Sequence, residues 1–403
     1  MTKKIVLISS GQPALNPRLV KEADSLSAAG YDVTVLYAYW NDWGTVLDDE
    51  LLSQKKWKAI RVGGTANDQS VRYFVSRAIH KLANSLMRLS GSVLLAERAI
   101  GRSCTFLTTE AQKHSADLYI AHNLAALPAA VKAAKRHQSK CGFDAEDMHR
   151  YEVSNDESSR HFRLARYIED LYLPQVDQFT TSSPLITAAY QKLYPHKKAI
   201  ILRNVFPKTN TSIIKHTGCI KLFWFSQTIG PDRGIEDIMD ALETLNSSQI
   251  ELHLLGNRPA HSQDFIDRLN TSSLNINFHA PIPPDEIISF ASQFDIGLAL
   301  ETGLPHNRDI CLTNKIFTYI QSGLAVIASD TQAQADLLQQ YPDCGLLYKK
   351  GNSGSLADCL KQYADNPEYL NSTRRNNFDL GQSTLNWENE SRLLLKLVQQ
   401  TLN

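Results

Sequence analysis

Several features that would assign a function outright are missing from these 403 residues. Lys plus Arg and Asp plus Glu number 42 each, so there is no net charge. A nucleic-acid binder normally carries a basic excess, and any basic patch here must be local. No apolar run approaches the ~20 residues that a spanning helix needs. The first such run, Ile5-Val6-Leu7-Ile8, is too short for a signal sequence and ends in Ser-Ser-Gly, so it reads as a strand. The six cysteines (Cys104, Cys141, Cys219, Cys311, Cys344, Cys359) form no CxxC pair and have no His at zinc-ligand spacing. They are expected to be buried reduced thiols of a cytosolic protein. No strict DxD motif stands near a strand end, and no metal ligand is assigned.

Hydrophobic residues at 43% and charged residues at 21% describe well-filled cores, and the length suggests two or three domains. The chain opens twice in the same way. Ile5–Ser9 is a buried strand, followed by a loop with Gly11, a helical pattern from Pro17 closed by Gly30, and a strand from Tyr31 to Tyr37. In the second half the strand Ile220–Ser226 leads to a loop with Gly230 and Gly234, a helix from Ile235, and the strand Ile250–Leu255. Short apolar runs separated by helical periods continue through both halves, as expected of two doubly wound α/β, Rossmann-like domains. The boundaries read as 1–205 and 206–380, with Val205–Gly218 as linker and 381–403 carrying a separate amphipathic helix from Trp387.

The segment richest in chemistry runs from Glu301 to Asp330. A strand delivers Glu301 to its carboxyl end, where open α/β sheets place ligands. Thr313 is suited to cap a helix over Asn314–Ser322, and Gly323 to end it. Lys315 falls in the first turn, where the helix dipole disfavours a cation unless an anion is bound; a diphosphate would explain it.

An acidic residue, a loop, NKIFTY, a small residue with Gly, an apolar strand and Ser-Asp together resemble the donor site of retaining GT-B glycosyltransferases, family 4 (glycosyl transferases group 1). The segments NPRLVKEADSLSAAGYDVTVL, SQTIGPDRGIEDIMDAL, INFHAPIPPDEI and LNWENESRLLLKL agree in order. The resemblance implies two Rossmann-like domains facing a cleft, with the last helix crossing back to the first domain. It implies a cytoplasmic enzyme, soluble or peripheral on the inner membrane surface, that moves a sugar from a nucleotide-sugar donor, with UDP- or GDP-sugars foremost. The acceptor would be a glycan or lipid-linked glycan in polysaccharide biosynthesis, with anionic membrane as a peripheral partner and nucleic acid as none. Apart from the donor substrate no cofactor is implied.

By the same resemblance Arg233, Gly234, Asn314 and Lys315 hold the diphosphate, and Gly11 closes toward it. Pro281 and Ile282 lie in the turn that reads the base. Glu301 grips the transferred sugar and His122 reaches it, as the catalytic pair. Thr318 stands where a second glutamate binds the ribose, and Gln227-Thr228 where Gly-Arg is frequent. Read without the resemblance, His122 is equally a hydrogen-bonded core histidine and Arg233 and Lys315 are surface charges; Glu146 and Asp147 either bind acceptor hydroxyls, as the fold analogy implies, or cap a helix. A non-catalytic GT-B partner subunit and a nucleotide-sugar 2-epimerase remain as alternatives.

From Val71 to Ile100 a long helical pair breaks the α/β rhythm. Phe74, Val75, Ala78, Leu82, Leu86, Leu89 and Val93 share one face; Arg77, His80, Lys81 and Arg88 share another. Either the basic face meets an acceptor or anionic membrane, or the apolar face packs on the domain and the basic face meets only water.

Overall fold

The computed structural model describes residues 2–90, 93–210 and 218–403. The chain forms two compact units: Met1–Arg203 with Pro305–Asn307 and Glu390–Asn403, and Asn204–Leu304 with Arg308–Asn389. Of the expected linker, residues 205–210 are neither helix nor strand, and 211–217 lie outside the described residues.

The first unit is built on seven parallel strands: β1 (Lys4–Ser9), β2 (Asp32–Ala38), β3 (Lys58–Val62), β4 (Leu118–His122), β5 (Lys140–Ala145), β6 (Gln178–Thr181) and β7 (Ile200–Ile201). Their order is β3-β2-β1-β4-β5-β6-β7. Ile5, Leu7, Val35, Leu118 and Phe143 are wholly buried, as a parallel sheet covered on both faces requires. The first crossover helix, Pro17–Ala28, starts where Asn16 accepts from the Leu19 amide at 3.1 Å with Pro17 in the first turn. It ends at Gly30, whose φ of 90° favours glycine. The edge strand β3 escapes a reading of apolar runs because only Val62 of KAIRV is buried.

The unit's other edge is completed from the far end of the chain. The helix Trp387–Leu402 buries Leu394 and Val398. Its Glu390 accepts from the Arg203 amide at 3.0 Å, and Thr401 hydrogen-bonds Gln178 at 3.3 Å.

The helical pair is Ser70–Ser90 and Ala96–Ile100, but the packed stripe of the long helix is not its apolar one. Ser76, Ala83 and Met87 are buried and Tyr73, His80 and Asn84 half-buried. Phe74, Val75, Leu82, Leu86 and Leu89 are exposed, Leu89 by 84%. At 100° per residue these two sets lie on opposite sides of the helix. Packing of the apolar face on the domain is therefore overturned.

The second unit has six parallel strands: β8 (Ile220–Thr228), β9 (Ile250–Asn257), β10 (Ile276–His279), β11 (Ile296–Ala299), β12 (Ala325–Ser329) and β13 (Gly345–Tyr348). Their order is β10-β9-β8-β11-β12-β13. Leu222, Trp224, Leu252, Leu254, Leu298 and Ile327 make its core with Ile235 and Ile238 of the first crossover helix. Each fully buried large aliphatic side chain contributes about 1.5–3 kcal/mol. Gly297 lets β11 touch the helix Asn314–Ser322: a Cβ there would lie 2.1 Å from the Tyr319 ring, whose hydroxyl donates to the Leu298 carbonyl at 3.1 Å. All six cysteines are free, five of them buried and Cys219 half-buried.

At the centre of the first unit, Arg18 is fully buried and meets Asp144 through two bonds of 2.6 Å, with Glu22 3.6 Å away. Removing the cation strands buried carboxylates. Arg18→Ala should cost about 3–5 kcal/mol, read as a lowered urea midpoint of the first unit. A midpoint equal to the parent's would show that the network exchanges with solvent.

Candidate functional site

In each sheet the strand order reverses at one point, and there the loops at the carboxyl edge diverge and leave room for a ligand. In the second unit this point lies between β8 and β11. The loop after β8 turns through Asp232 (φ 59°) and Gly234 (φ 78°). A Cβ on Gly234 would come within 2.6 Å of Leu300, so glycine lets this loop lie against the end of β11. Between them Arg233 donates to the Ser226 hydroxyl at 2.8 Å.

Glu301, two residues beyond the end of β11, is buried and fixed from behind. Its amide donates to Ser329 Oγ at 2.9 Å, and that hydroxyl donates to the Glu301 carbonyl at 2.7 Å. Gln334 Nε2 donates to Ser329 Oγ at 3.0 Å. The Glu301 carboxylate meets Lys315 Nζ at 2.6 Å and Arg308 Nη1 at 3.5 Å. Arg233 feels the same group: burial lowers its guanidinium pKa most, Arg308 adds repulsion, and Glu301 partly offsets both. Lys315 and Arg308 thus share one carboxylate, and Arg233 lies within electrostatic reach of it, so cations outnumber the carboxylate here.

The helix Asn314–Ser322 adds its N-terminus. Thr313 takes the cap position with extended backbone, yet its hydroxyl makes no cap bond and is buried without a partner among the described residues. No acid occupies the first turn. The first amides are therefore not satisfied by the cap, which is the condition for binding an anion. Asn314 is exposed and Lys315 half-buried, its Nζ 5.9 Å from the Trp224 ring centre. Thr318 is not brought to the site: it is fully buried, and its hydroxyl donates to the Asn314 carbonyl of its own helix at 2.9 Å. A hydroxyl one turn inside a buried helix finds its partner there, where a longer carboxylate would not. Pro281 and Ile282 lie in the loop after the edge strand β10, Pro281 exposed and Ile282 half-buried.

In the first unit the order reverses between β1 and β4. Gly11 follows β1, its amide donating to Ser9 Oγ at 3.1 Å. Buried Gln12 anchors this loop by accepting from the Trp40 and Asn41 amides at 2.9 Å each. His122 ends β4 with its ring only 1% exposed, Nε2 3.3 Å from Glu22 and Nδ1 3.5 Å from Asp144. The structure places it inside a charged network and not on an open surface. Asn123 next to it holds φ 64°, ψ 158°, a region nearly reserved for glycine, and accepts from Ser10 Oγ at 2.7 Å.

Among the second-unit residues expected from the sequence, the structure unites Arg233, Gly234, Glu301, Asn314 and Lys315; Gly11 and His122 belong to the first unit. Arg308, Ser329 and Gln334 were not legible in the sequence as site residues. Arg308 sits in the polar stretch PHNRD, which forms the short helix His306–Ile310, and spacing alone does not show which side chain turns toward Glu301.

Residues 233–392 match a family model described as glycosyl transferase-like. Sucrose-phosphate synthase from Thermosynechococcus elongatus superposes with a TM-score of 0.69 at 14% identity, over 99% of this chain and 98% of that one. The Anabaena protein HepE, solved in complex with UDP-glucose, gives 0.70 at 14% identity over 99% and 100%. WaaG, described as a glycosyltransferase involved in lipopolysaccharide biosynthesis, gives 0.61 at 13% identity over 96% and 99%. A sequence search of the curated proteins finds no match. The chain has the two-domain GT-B fold of these structures, and its residues 233–392 carry the glycosyl transferase-like segment. The matched family segment lies almost wholly in its second unit and includes Arg233, Glu301, Arg308 and Lys315.

The His122 network makes stability depend on pH. Burial alone would lower the His122 pKa, but Glu22 and Asp144 outweigh it and raise the value. Burial alone would raise Asp144, but Arg18 and His122 hold it low. The raised histidine contributes stability that is complete below its unfolded value of about 6.5 and lost as pH rises through the folded one. The depressed aspartate contributes stability above about pH 4 that is lost as pH falls further. His149, pushed up to about 9 by Glu152 against its burial, declines in the same direction as His122. The thermal midpoint of the first unit should therefore peak between about pH 4 and 6.5, and His122→Gln should flatten the alkaline slope without abolishing it. An identical slope in parent and variant would count against a charged His122.

Proposed function

We propose that the second unit binds a nucleotide-sugar, a UDP- or GDP-sugar, and that the enzyme transfers the sugar with retention to a glycan or lipid-linked acceptor in polysaccharide synthesis. The observation that carries this is the group of three cations around one carboxylate at the strand-order reversal, beside a helix N-terminus whose cap leaves its amides unsatisfied. Arg233, Arg308 and Lys315 hold the diphosphate, with Gly234 and Asn314 offering backbone close to it. Pro281 and Ile282 form the turn against the base. Thr318, turned into its own helix, leaves the ribose to other groups.

Transfer breaks the bond between the anomeric carbon and the diphosphate oxygen, and negative charge grows on that oxygen. The fixed cations and the helix dipole stabilise it without needing a metal. The departing phosphate takes the acceptor's proton on the face it leaves, so no strong protein base is required. Glu301 balances the cations while the site is empty. When a diphosphate engages them, its carboxylate is released to accept hydrogen bonds from sugar hydroxyls. His122 is a positioning residue that holds the end of β4 and the strained Asn123 turn. At the membrane, Arg77, Lys81 and Arg88 provide peripheral contact with anionic lipid.

Arg233→Ala should weaken binding of the free nucleoside diphosphate by about 1.5–3 kcal/mol in calorimetry, with folding unchanged. Unaltered affinity would reduce Arg233 to a surface charge. Glu301→Gln should keep or tighten that affinity, because Lys315 and Arg308 lose their internal counter-charge, while turnover with the nucleotide-sugar falls. If nucleotide binding and turnover fell together, Glu301 would be an architectural residue only.

A further inference from the structure

The exposed stripe of the Ser70–Ser90 helix lies beside a cavity of about 590 Å³ lined by Arg77, His80, Lys81, Asn84, Arg102 and Arg160. A second cavity of about 370 Å³ shares Arg77, His80 and Arg102 and reaches Ser10, Tyr39 and Trp40. No carboxylate lines either cavity. Among the described residues none of Arg77, Lys81, Arg102 and Arg160 has a carboxylate within ion-pair distance, whereas Lys132 and Arg150 of the same unit do.

Neutral groups hold the cations in place instead. Arg102 donates to the Tyr39 carbonyl at 2.6 Å and its guanidinium sits 4.7 Å from the Tyr73 ring centre. Arg77 donates to the Tyr73 hydroxyl at 3.2 Å, and Arg160 to the Asn84 side chain. With no carboxylate in its lining, such a pocket presents positive charge whose counterpart is an anion with several acceptor oxygens.

On the helix itself Val71, Phe74, Leu82, Leu86 and Leu89 point away from the packed side, and Arg77, Lys81 and Arg88 run along one border of that stripe. An apolar face bordered by cations matches a helix lying in a lipid–water interface, where acyl chains cover the stripe and headgroup charge meets the border. A second copy of the chain is the poorer occupant, since its matching stripe would bring further unneutralised cations to the contact.

We propose that this helix lies in an anionic membrane surface, its apolar stripe among the acyl chains and the adjoining cavity holding a lipid phosphate. The inference deepens the reading of a membrane-side acceptor: it names a phosphate-bearing lipid as what the first unit grips, and the apolar stripe as its anchor.

The test is sedimentation of the full chain with vesicles of phosphatidylcholine alone or mixed with phosphatidylglycerol. Binding should require phosphatidylglycerol and fall with salt. The Arg77/Lys81/Arg88→Glu variant should lose about tenfold or more in partitioning. The Leu82/Leu86/Leu89→Ser variant should lose as much although no charge changes, because these exposed side chains would otherwise enter the apolar layer. Equal binding to both vesicle types overturns the proposal, as does a serine variant that binds like the parent. A serine variant that turns a dimer into a monomer without affecting vesicle binding overturns it in favour of a second copy. Inorganic phosphate at matched ionic strength should displace little; complete displacement would show that the cavity takes free phosphate, against a lipid headgroup. Calorimetry with UDP and GDP on the same proteins separates the two readings. Intact nucleotide affinity in a variant that fails to bind vesicles confines the effect to this helix. Absent affinity in a parent that binds vesicles removes the proposed donor site and leaves the membrane site standing.

Discussion

A parallel sheet buried on both faces has few places for polar chemistry. Every strand of β1–β7 and of β8–β13 runs the same way, so in each unit one edge collects all the carboxyl ends. The faces are sealed by crossover helices, and a polar side chain in a strand must find a partner or be excluded. Loops at the carboxyl edge escape that constraint, most of all where the strand order reverses. Arg233, Glu301, Lys315, Gly11 and His122 all follow from this one restriction, although they come from four separate stretches of chain.

Within it, electrostatics decide the details. Two guanidinium groups and an ammonium group gathered with no counter-charge would repel, and desolvation would add to the cost. Glu301 offsets both, and it can do so only because Ser329 and Gln334 hold its backbone against the end of β12. The glycines serve the same geometry: Gly234 brings the Arg233 loop to Leu300, and Gly297 brings the helix that carries Lys315 onto β11. The first unit solves a similar problem by enclosing its charges. Arg18, Asp144, Glu22 and His122 compensate one another out of reach of water.

Much of the two-sheet fold was legible because buried parallel strands leave continuous apolar runs, and both openings show them plainly. The edge strand β3 was not, since an edge strand with one buried side chain has a sequence indistinguishable from a loop. Glu301 and Lys315 could be found from a strand end and a helix start, which are local signals. Arg308 and Gln334 could not, because their partners depend on how a loop and the following helix return to the site. His122 was legible as either a ligand group or a core histidine, and only the approach of Glu22 and Asp144 from other elements shows its surroundings. The apolar face of the Ser70–Ser90 helix misled for a physical reason: periodicity reports that a face is apolar, not what covers it.

The helix Trp387–Leu402 bears on how the protein is made. Residues from Glu390 onward complete the first unit, burying Leu394 and Val398 and bonding to Arg203 and Gln178. Domains generally fold in the order in which the ribosome delivers them. Here the unit synthesised first cannot close its last edge until the helix Trp387–Leu402, made after nearly all of the second unit, has left the exit tunnel. For most of translation the β6–β7 side of the sheet must wait uncovered, and the second unit can reach its final state before the first. Nascent chains stalled just short of residue 390 should therefore be the species most in need of a chaperone.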